Sequence, residues 1–309
     1  MDRAFVLGAG LGTRLKALTE RRPKPLIPIY GKPLITFAFD QLIAAGATEI
    51  VINTHHCHEA YEAAFPGGVY RGARLIFEHE PVLLETAGGI KNVERHFGGQ
   101  GFVVYNGDVL TNVPLEKALA HHAASGNEVT MVLRSEGEPL HVTLETGRVV
   151  DIAGRLGVAE GDRYLFTGIY VVEPEFLRRI PERTKISVIP LFMEMIKEGA
   201  KLGGVVLDEG GWWDLGTREK YLEVHQALAA GDFFGAEWRK TVDGTARVAK
   251  DARLGGFVVA GDGAEIEGGA QVTDCILWEG ARVLRGSVLN RCVVTSGRTA
   301  AGRHTAVDF

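Results

Sequence analysis

Three glycines and two separated cations follow the first apolar run of this 309-residue chain: Gly8, Gly10 and Gly12, then Arg14 and Lys24. Glycines at that spacing let the backbone turn tightly and present its N–H groups to an anion. Two familiar glycine motifs are excluded. The dinucleotide fingerprint requires a glycine where Thr13 stands, and the P-loop requires Gly-Lys-Ser/Thr where Gly12-Thr13-Arg14 stands. Pro23 and Pro25 bracket Lys24, remove two backbone donors and predict an extended segment that returns the ammonium to the loop. Arg14 and Lys24 would then grip one polyphosphate. The plainer alternative is an ordinary strand-to-helix turn with two solvated cations. Asp108 ends Asn106-Gly107-Asp108 after the apolar run at residues 102–105, a position at the carboxyl edge of a sheet where a short, hard oxygen donor suits Mg2+. On spacing alone it reads first as a turn residue or helix cap. Asp214, behind Trp212 and Trp213 and ahead of Leu215-Gly216-Thr217, reads by itself as a cap for the helix that follows. His55, His56 and His58 around Cys57 lack metalloprotease spacing and are read as structural or substrate-loop residues.

Taken together, residues 7–28 resemble the signature of the sugar-1-phosphate nucleotidyltransferases: a GxGTRL loop at residues 10–15, Leu18-Thr19, and a Pro-Lys-Pro-Leu segment at residues 23–26, followed here by Gly31-Lys32-Pro33-Leu34. The resemblance implies that Arg14 and Lys24 bind and activate a nucleoside triphosphate, with Leu7, Gly8, Gly10, Gly12 and Thr13 as the nucleotide loop. It implies Mg2+ as cofactor, with Asp108 as the first metal-binding aspartate and Asp214, in Trp213-Asp214-Leu215-Gly216-Thr217, as the second. Glu80-Pro81 and residues 84–89 (Leu-Glu-Thr-Ala-Gly-Gly) are similar to the family's base-contacting segment, which brings in Glu80, Glu85 and Thr86; Glu85 stands where the family usually has glycine. Thr167-Gly168 and Gly107 fall at the sugar phosphate positions. The Glu-Lys-Pro usual after the hairpin is absent from residues 151–155, and Arg155 is the substitute for its lysine.

The elements that must position these residues read as a doubly wound, mostly parallel, Rossmann-like α/β domain over residues 1–236. Apolar runs at 3–7, 49–53, 74–77, 102–105 and 129–133 alternate with helices at 33–45, near 89–96 and at 114–124. Residues 141–152 read as an antiparallel hairpin of the kind that forms substrate lids, followed by a strand at 164–172, a helix at 187–198, a strand at 202–207 and a helix from the Thr217 cap to 229. Residues 233–245 read as a linker. From 245 to 309, aliphatics recur at five to six residues with glycines at 263, 269, 280 and 286, which resembles the hexapeptide repeat of a left-handed parallel β-helix of about three coils. The ends of so short a solenoid need covering by the main domain or by another subunit, and a homo-oligomer is expected.

The composition, 46% hydrophobic and 24% charged with a net charge of -5, is globular and offers no global attraction for nucleic acid or an anionic membrane. Three cysteines without CxxC spacing, no apolar run near membrane-spanning length and no room for a signal peptide before the first strand predict a cytoplasmic protein. The expected activity joins a nucleoside triphosphate to a sugar 1-phosphate. The β-helix and the GxGTR loop resemble those of mannose-1-phosphate guanylyltransferases and their heptose relatives, a resemblance that implies GTP with a mannose-type sugar 1-phosphate. Residues 85–89 and the missing Glu-Lys-Pro instead resemble muramate-type uridylyltransferases. An alternative of another class is a non-catalytic subunit that senses nucleotide sugar.

Overall fold

The computed structural model describes residues 1–158, 161–231, 234 and 241–309. The expected domain end at Ala236 and most of the expected linker lie outside the described residues. The chain separates into two compact units, one of residues 1–11 and 35–212, the other of residues 12–34 and 213–309.

The first unit is built on a ten-stranded sheet. Strands Arg3–Leu7, Glu49–Thr54, Ala73–His79 and Phe102–Asn106 are parallel, with Arg3–Leu7 between Glu49–Thr54 and Phe102–Asn106. Phe5, Val51 and Val104 are fully buried, as continuous apolar runs covered on both faces should be. The rest of the sheet departs from the mostly parallel expectation. The eleven-residue strand Asp162–Val172 runs antiparallel to both Phe102–Asn106 and Val129–Arg134, and only Leu202–Val206 restores a parallel pair, on the far side of Val129–Arg134. The sheet is therefore mixed. The hairpin Val142–Glu145 and Arg148–Ile152 extends it and is no free lid, since its strands also pair with Asp162–Val172 and Leu202–Val206.

Two expected helices shift for physical reasons. The first starts at Ile35, because Lys32–Pro33 folds back on Pro28–Ile29 through a Tyr30-Gly31 turn with both φ positive, 50° and 82°. The second starts early, at Glu85, where the carbonyl of Ile186 accepts the Ala87 and Gly88 N–H groups that the helix start leaves without internal partners. Helix Val188–Glu198 begins as read, with Ser187 accepting the Ile189 N–H.

In the second unit, residues 12–34 hold a 3-10 stretch, Thr13–Thr19, a 3-10 turn, Lys24–Leu26, and the small hairpin. Helix Arg218–Ala230 is capped by Thr217, whose hydroxyl accepts the Lys220 N–H at 3.3 Å. Beyond it, two parallel ladders stack. One pairs Arg247–Val248, Glu265–Ile266, Arg282–Val283 and Thr299–Ala300; the other pairs Arg253–Ala260, Gln271–Leu277, Val288–Asn290 and Arg303–Thr305. Partners lie 17 or 18 residues apart except in the last pair, Val288–Asn290 with Arg303–Thr305, where the offset is 15. The aliphatics of the repeat, among them Ile266, Val272, Val283 and Leu289, point inward and are almost wholly buried, which is why they recur at that interval.

Candidate active site

In the first unit the candidate residues gather where the parallel strands end. Leu7 pairs with Asn53 on one side and Asn106 on the other, so the glycine loop and Gly107-Asp108 leave the sheet beside each other, at the edge where open α/β sheets bind ligands. Gly107 donates its N–H to the Leu7 carbonyl at 2.9 Å, and a Cβ on Gly107 would lie 2.8 Å from that oxygen. Asp108 follows in the turn between Phe102–Asn106 and Val109–Thr111. Its charge is felt by Tyr61, whose hydroxyl is pushed above its ordinary pKa first by burial and then by Asp108.

The loop's amides are less available than the glycine spacing suggests. The Gly8 N–H is taken by Asn53 Oδ1 at 2.9 Å, and its carbonyl accepts the Tyr61 hydroxyl at 2.8 Å. A Cβ at Gly8 would meet Asn53 O at 2.7 Å, whereas one at Gly10 would meet nothing within 4 Å among the described residues. Gly10 is thus the open position of the loop, and Gly8 is its anchor. Asn53 Nδ2 donates to Glu80 Oε1 at 2.8 Å, and Glu80 Oε2 accepts the Leu84 N–H at 3.0 Å. Glu80 is buried with both oxygens engaged, so it links the loop to the 84–89 segment.

That segment is a tightly packed helix start. A Cβ at Gly88 would come within 2.4 Å of Thr184 O, and one at Gly89 within 2.8 Å of Asn53 Nδ2. Thr86 Oγ1 accepts the Val188 N–H at 2.7 Å. Glu85 is exposed and holds φ at 61°, a left-handed conformation that suits glycine and strains other L-residues. Glu85 therefore holds a backbone conformation that glycine adopts without strain. Its carboxylate lies 3.9 Å from Lys185 Nζ.

Thr167 and Gly168 sit where the pairing of Asp162–Val172 with Val129–Arg134 slips between Phe166 and Tyr170. Such a bulge re-aims the backbone beside a site. The Thr167 hydroxyl is buried and donates to Val132 O at 2.8 Å, while the Thr167 carbonyl accepts Trp212 Nε1–H at 3.0 Å. Gly168, at φ 82°, has Asn106 Nδ2 only 2.6 Å from where a Cβ would stand. Arg155 is exposed on a turn organised by buried Asp151, whose carboxylate accepts the N–H groups of Leu156 and Val158.

The second unit holds the cations. Gly12 is left-handed at φ 61°, and its carbonyl accepts the Thr19 hydroxyl at 3.0 Å, which folds Thr13–Thr19 back on the loop. Thr13 and Arg14 are exposed. Lys24 is in a 3-10 turn between extended Pro23 and Ile27, a correction to the extended segment read from its prolines: proline suits the first turn of a helix as well as it suits extended chain. The Lys24 side chain is 6% exposed, and Nζ lies 3.4 Å from Asp214 Oδ1. Asp214 Oδ2 lies 3.6 Å from Lys220 Nζ. A Cβ on Gly216 would fall 2.9 Å from both Arg14 Nη2 and Asp214 Oδ2, so the glycine leaves room for the guanidinium on that side of the carboxylate. Arg14, Lys24 and Lys220 thus surround one aspartate with an excess of positive charge, suited to a polyanion.

Sequence reasoning did not single out Asn53, Tyr61, Asn106 or Lys220. Asn53 and Asn106 end apolar strands, where an amide is conspicuous in retrospect; Tyr61 and Lys220 carry no local signal. Among the described residues there is no cluster of three or more His, Cys, Asp and Glu that would hold a metal, and no helix long and apolar enough to cross a membrane.

The nucleotidyl transferase family profile matches residues 3–231. The chain is 32% identical over 299 residues to a mannose-1-phosphate guanylyltransferase of Mycobacterium tuberculosis, covering 93% of this chain and 83% of that protein. It is 33% identical over 229 residues to an N-acetylmuramate alpha-1-phosphate uridylyltransferase of Neisseria meningitidis, covering 74% of this chain and 98% of that one. A crystal structure from Bacillus anthracis described as a glucose-1-phosphate thymidylyltransferase superposes with a TM-score of 0.65 over 76% of this chain and 98% of its own, at 21% identity, and shows the shared fold. With its glycine loop and Asp108 at the carboxyl ends of the parallel strands and its lysine-paired Asp214, the chain is a nucleotidyltransferase of the sugar-1-phosphate nucleotidyltransferase family.

Proposed function

We propose that this enzyme makes GDP-mannose, or a closely related GDP-sugar, and pyrophosphate from GTP and the sugar 1-phosphate. The observation that carries the choice is identity held over nearly the whole chain. The likeness to the mannose-1-phosphate guanylyltransferase, at 32% identity, runs over 93% of this chain, while the N-acetylmuramate uridylyltransferase at 33% spans 74% and a UTP--glucose-1-phosphate uridylyltransferase of Synechocystis that spans 99% is 26% identical. The stacked ladders after residue 245 are read as a left-handed β-helix, with homo-oligomer contacts covering its ends. Glu85 supports the second reading, a muramate-type uridylyltransferase, because its carboxylate is exposed in the segment assigned to the base.

In this reading an oxygen of the sugar phosphate attacks the α-phosphorus in line. The new P–O bond forms as the α–β bridging P–O bond breaks, and pyrophosphate leaves with the electron pair. No covalent enzyme intermediate is required, so positioning and charge stabilisation supply the catalysis. Arg14 and Lys24 hold the triphosphate, and Lys24 leaves Asp214 for the phosphate when substrate binds. Gly10 lets the backbone of the loop approach the nucleotide. Glu80 and Asn53 fix the loop through Gly8, and Thr86, through Val188, fixes the segment that carries Glu85. Gly168 and Gly107 shape the sugar side, Thr167 holds Gly168 in place through its buried hydroxyl, and Arg155 meets the sugar phosphate. Asp108 and Asp214 are hard carboxylate donors of the kind that suit an ion whose shell is completed by phosphate and water. Mg2+ held by them would neutralise phosphate charge and align the reacting groups.

The test is kcat/KM for GTP and UTP, each with mannose 1-phosphate and N-acetylmuramate 1-phosphate. The highest value is expected for GTP with mannose 1-phosphate, and a preference for UTP overturns the choice of nucleotide.

A further inference from the structure

The segment carrying Lys24 has little structure of its own: one 3-10 turn, Lys24–Leu26, then a hairpin of two residues per strand. Its anchors come from late in the chain. Before the lysine, Arg22 Nη2 donates to the Glu279 carboxylate and, at 3.2 Å, to Ser296 Oγ, and Arg22 Cζ lies 5.1 Å from the centre of the Trp278 ring. Ser296 Oγ donates to the same Glu279 oxygen at 2.6 Å. After the lysine, the Tyr221 hydroxyl donates to Pro28 O at 2.6 Å and accepts Trp278 Nε1–H at 3.0 Å. Tyr221 is fully buried and Trp278 is 4% exposed, so water does not replace a lost partner in this chain of bonds. Trp278 and Glu279 share one corner of the stacked ladders, between Gln271–Leu277 and Arg282–Val283. Lys24 lies between the two anchored points, two residues after Arg22 and four before Pro28.

We infer that Trp278 and Glu279 are positioning residues for Lys24: acting through Tyr221 and Arg22, they clamp both ends of its segment, so the terminal coils set where the ammonium meets the triphosphate. This rests on the reading of Lys24 as the triphosphate lysine. A displacement of around an ångström at such a charge lowers turnover by up to ~10^2-fold. The coils are then part of the catalytic apparatus.

Two substitutions separate positioning from general stabilisation. Trp278→Phe keeps an aromatic ring beside Arg22 and removes the N–H donor. Glu279→Gln keeps the shape and removes the charge at a side chain 45% exposed, where the packing is undisturbed. Each is made alone and with Lys24→Met, and kcat, both KM values and the thermal midpoint are measured. Each is expected to lower kcat about tenfold when Lys24 is present and less than about twofold when it is absent, because a residue acting through Lys24 has nothing left to position. The KM for the sugar phosphate should stay within about twofold. Equal fold losses in both backgrounds, or no loss when Lys24 is present, overturn the inference. If Lys24→Met itself leaves turnover unchanged, the assignment of Lys24 fails and the inference falls with it, an outcome distinct from the other two.

Discussion

Acid should loosen the unit that carries Lys24 through one buried imidazole. His225 is fully buried on helix Arg218–Ala230. Its Nε2 accepts the Tyr30 N–H at 3.3 Å, which requires the proton on Nδ1, where it is donated to the Tyr221 carbonyl at 2.8 Å. The Tyr30 ring stacks on it with centroids 5.1 Å apart, and the Tyr30 hydroxyl donates to the His225 carbonyl at 2.8 Å. A proton added at Nε2 would point a second donor at the Tyr30 N–H and place a charge away from water. Burial accordingly lowers the His225 pKa from 6.5 to about 4, against the weaker opposing effect of its bond to Tyr221. Because the folded value is depressed, the unfolded chain takes up this proton first as pH falls. The stabilisation is full above pH 6.5, declines through the interval down to about 4 and is lost below it. A shift of this size is worth about 3 kcal/mol, at roughly 1.4 kcal/mol per pH unit across the window. The assay is urea unfolding of wild type and His225→Gln at steps from pH 7.5 to 4, reading the difference between the two proteins so that carboxylates common to both cancel. The wild-type advantage should shrink by about 3 kcal/mol over that range. Two curves that stay parallel would refute the buried neutral imidazole as a source of acid sensitivity.

Four further substitutions probe the assigned roles. Lys24→Met should lower kcat by ~10^2-fold or more, the scale of losing one electrostatic stabiliser, with little change in thermal midpoint; an unchanged rate removes Lys24 from the reaction. Asp108→Asn and Asp214→Asn should each keep the fold and lose most Mg2+-dependent turnover, by about 10^2-fold, since an amide retains the shape without the charge; near-normal activity across a Mg2+ titration takes that residue out of the metal site. Glu85→Gly should be stability-neutral or better, by about 0.5 kcal/mol, because relief of the left-handed strain is offset by glycine's greater unfolded freedom and by an exposed ion pair worth little. In the same variant the GTP/UTP ratio of kcat/KM should move more than the better of the two values; equal losses with both triphosphates would make Glu85 a support of the segment with no part in reading the base.

How far the sequence reaches can be judged residue by residue. The strands Arg3–Leu7, Glu49–Thr54 and Phe102–Asn106 were legible because both their faces are buried, which leaves uninterrupted apolar runs. The ladder positions Ile266, Val272, Val283 and Leu289 were legible because parallel ladders whose partners follow at a near-constant interval make inward residues recur. The direction of Asp162–Val172 was not, since an apolar strand reads the same whether its neighbours run with it or against it. Among the candidate residues, the types of Arg14, Lys24, Asp108 and Asp214 were visible, while the company each keeps within its own unit was not. Asn53, which occupies the Gly8 amide, and Glu80, which holds Asn53, lie 27 residues apart, and Asp214 meets Lys24 across 190. Nor does any local pattern announce that residues 12–34 pack in one unit with residues 213–309. Contacts between distant segments leave periodicity untouched, so only the folded chain reveals them.

The most direct test of the whole account is 31P NMR of the purified enzyme with Mg2+, GTP and mannose 1-phosphate, followed in time. The account predicts that the triphosphate and sugar phosphate signals decline together while pyrophosphate and a sugar-linked diphosphate appear in equal amounts, and that Lys24→Met slows all four changes alike. Release of inorganic phosphate or of a nucleoside monophosphate without the sugar-linked diphosphate would contradict it, as would wild-type rates in the lysine variant.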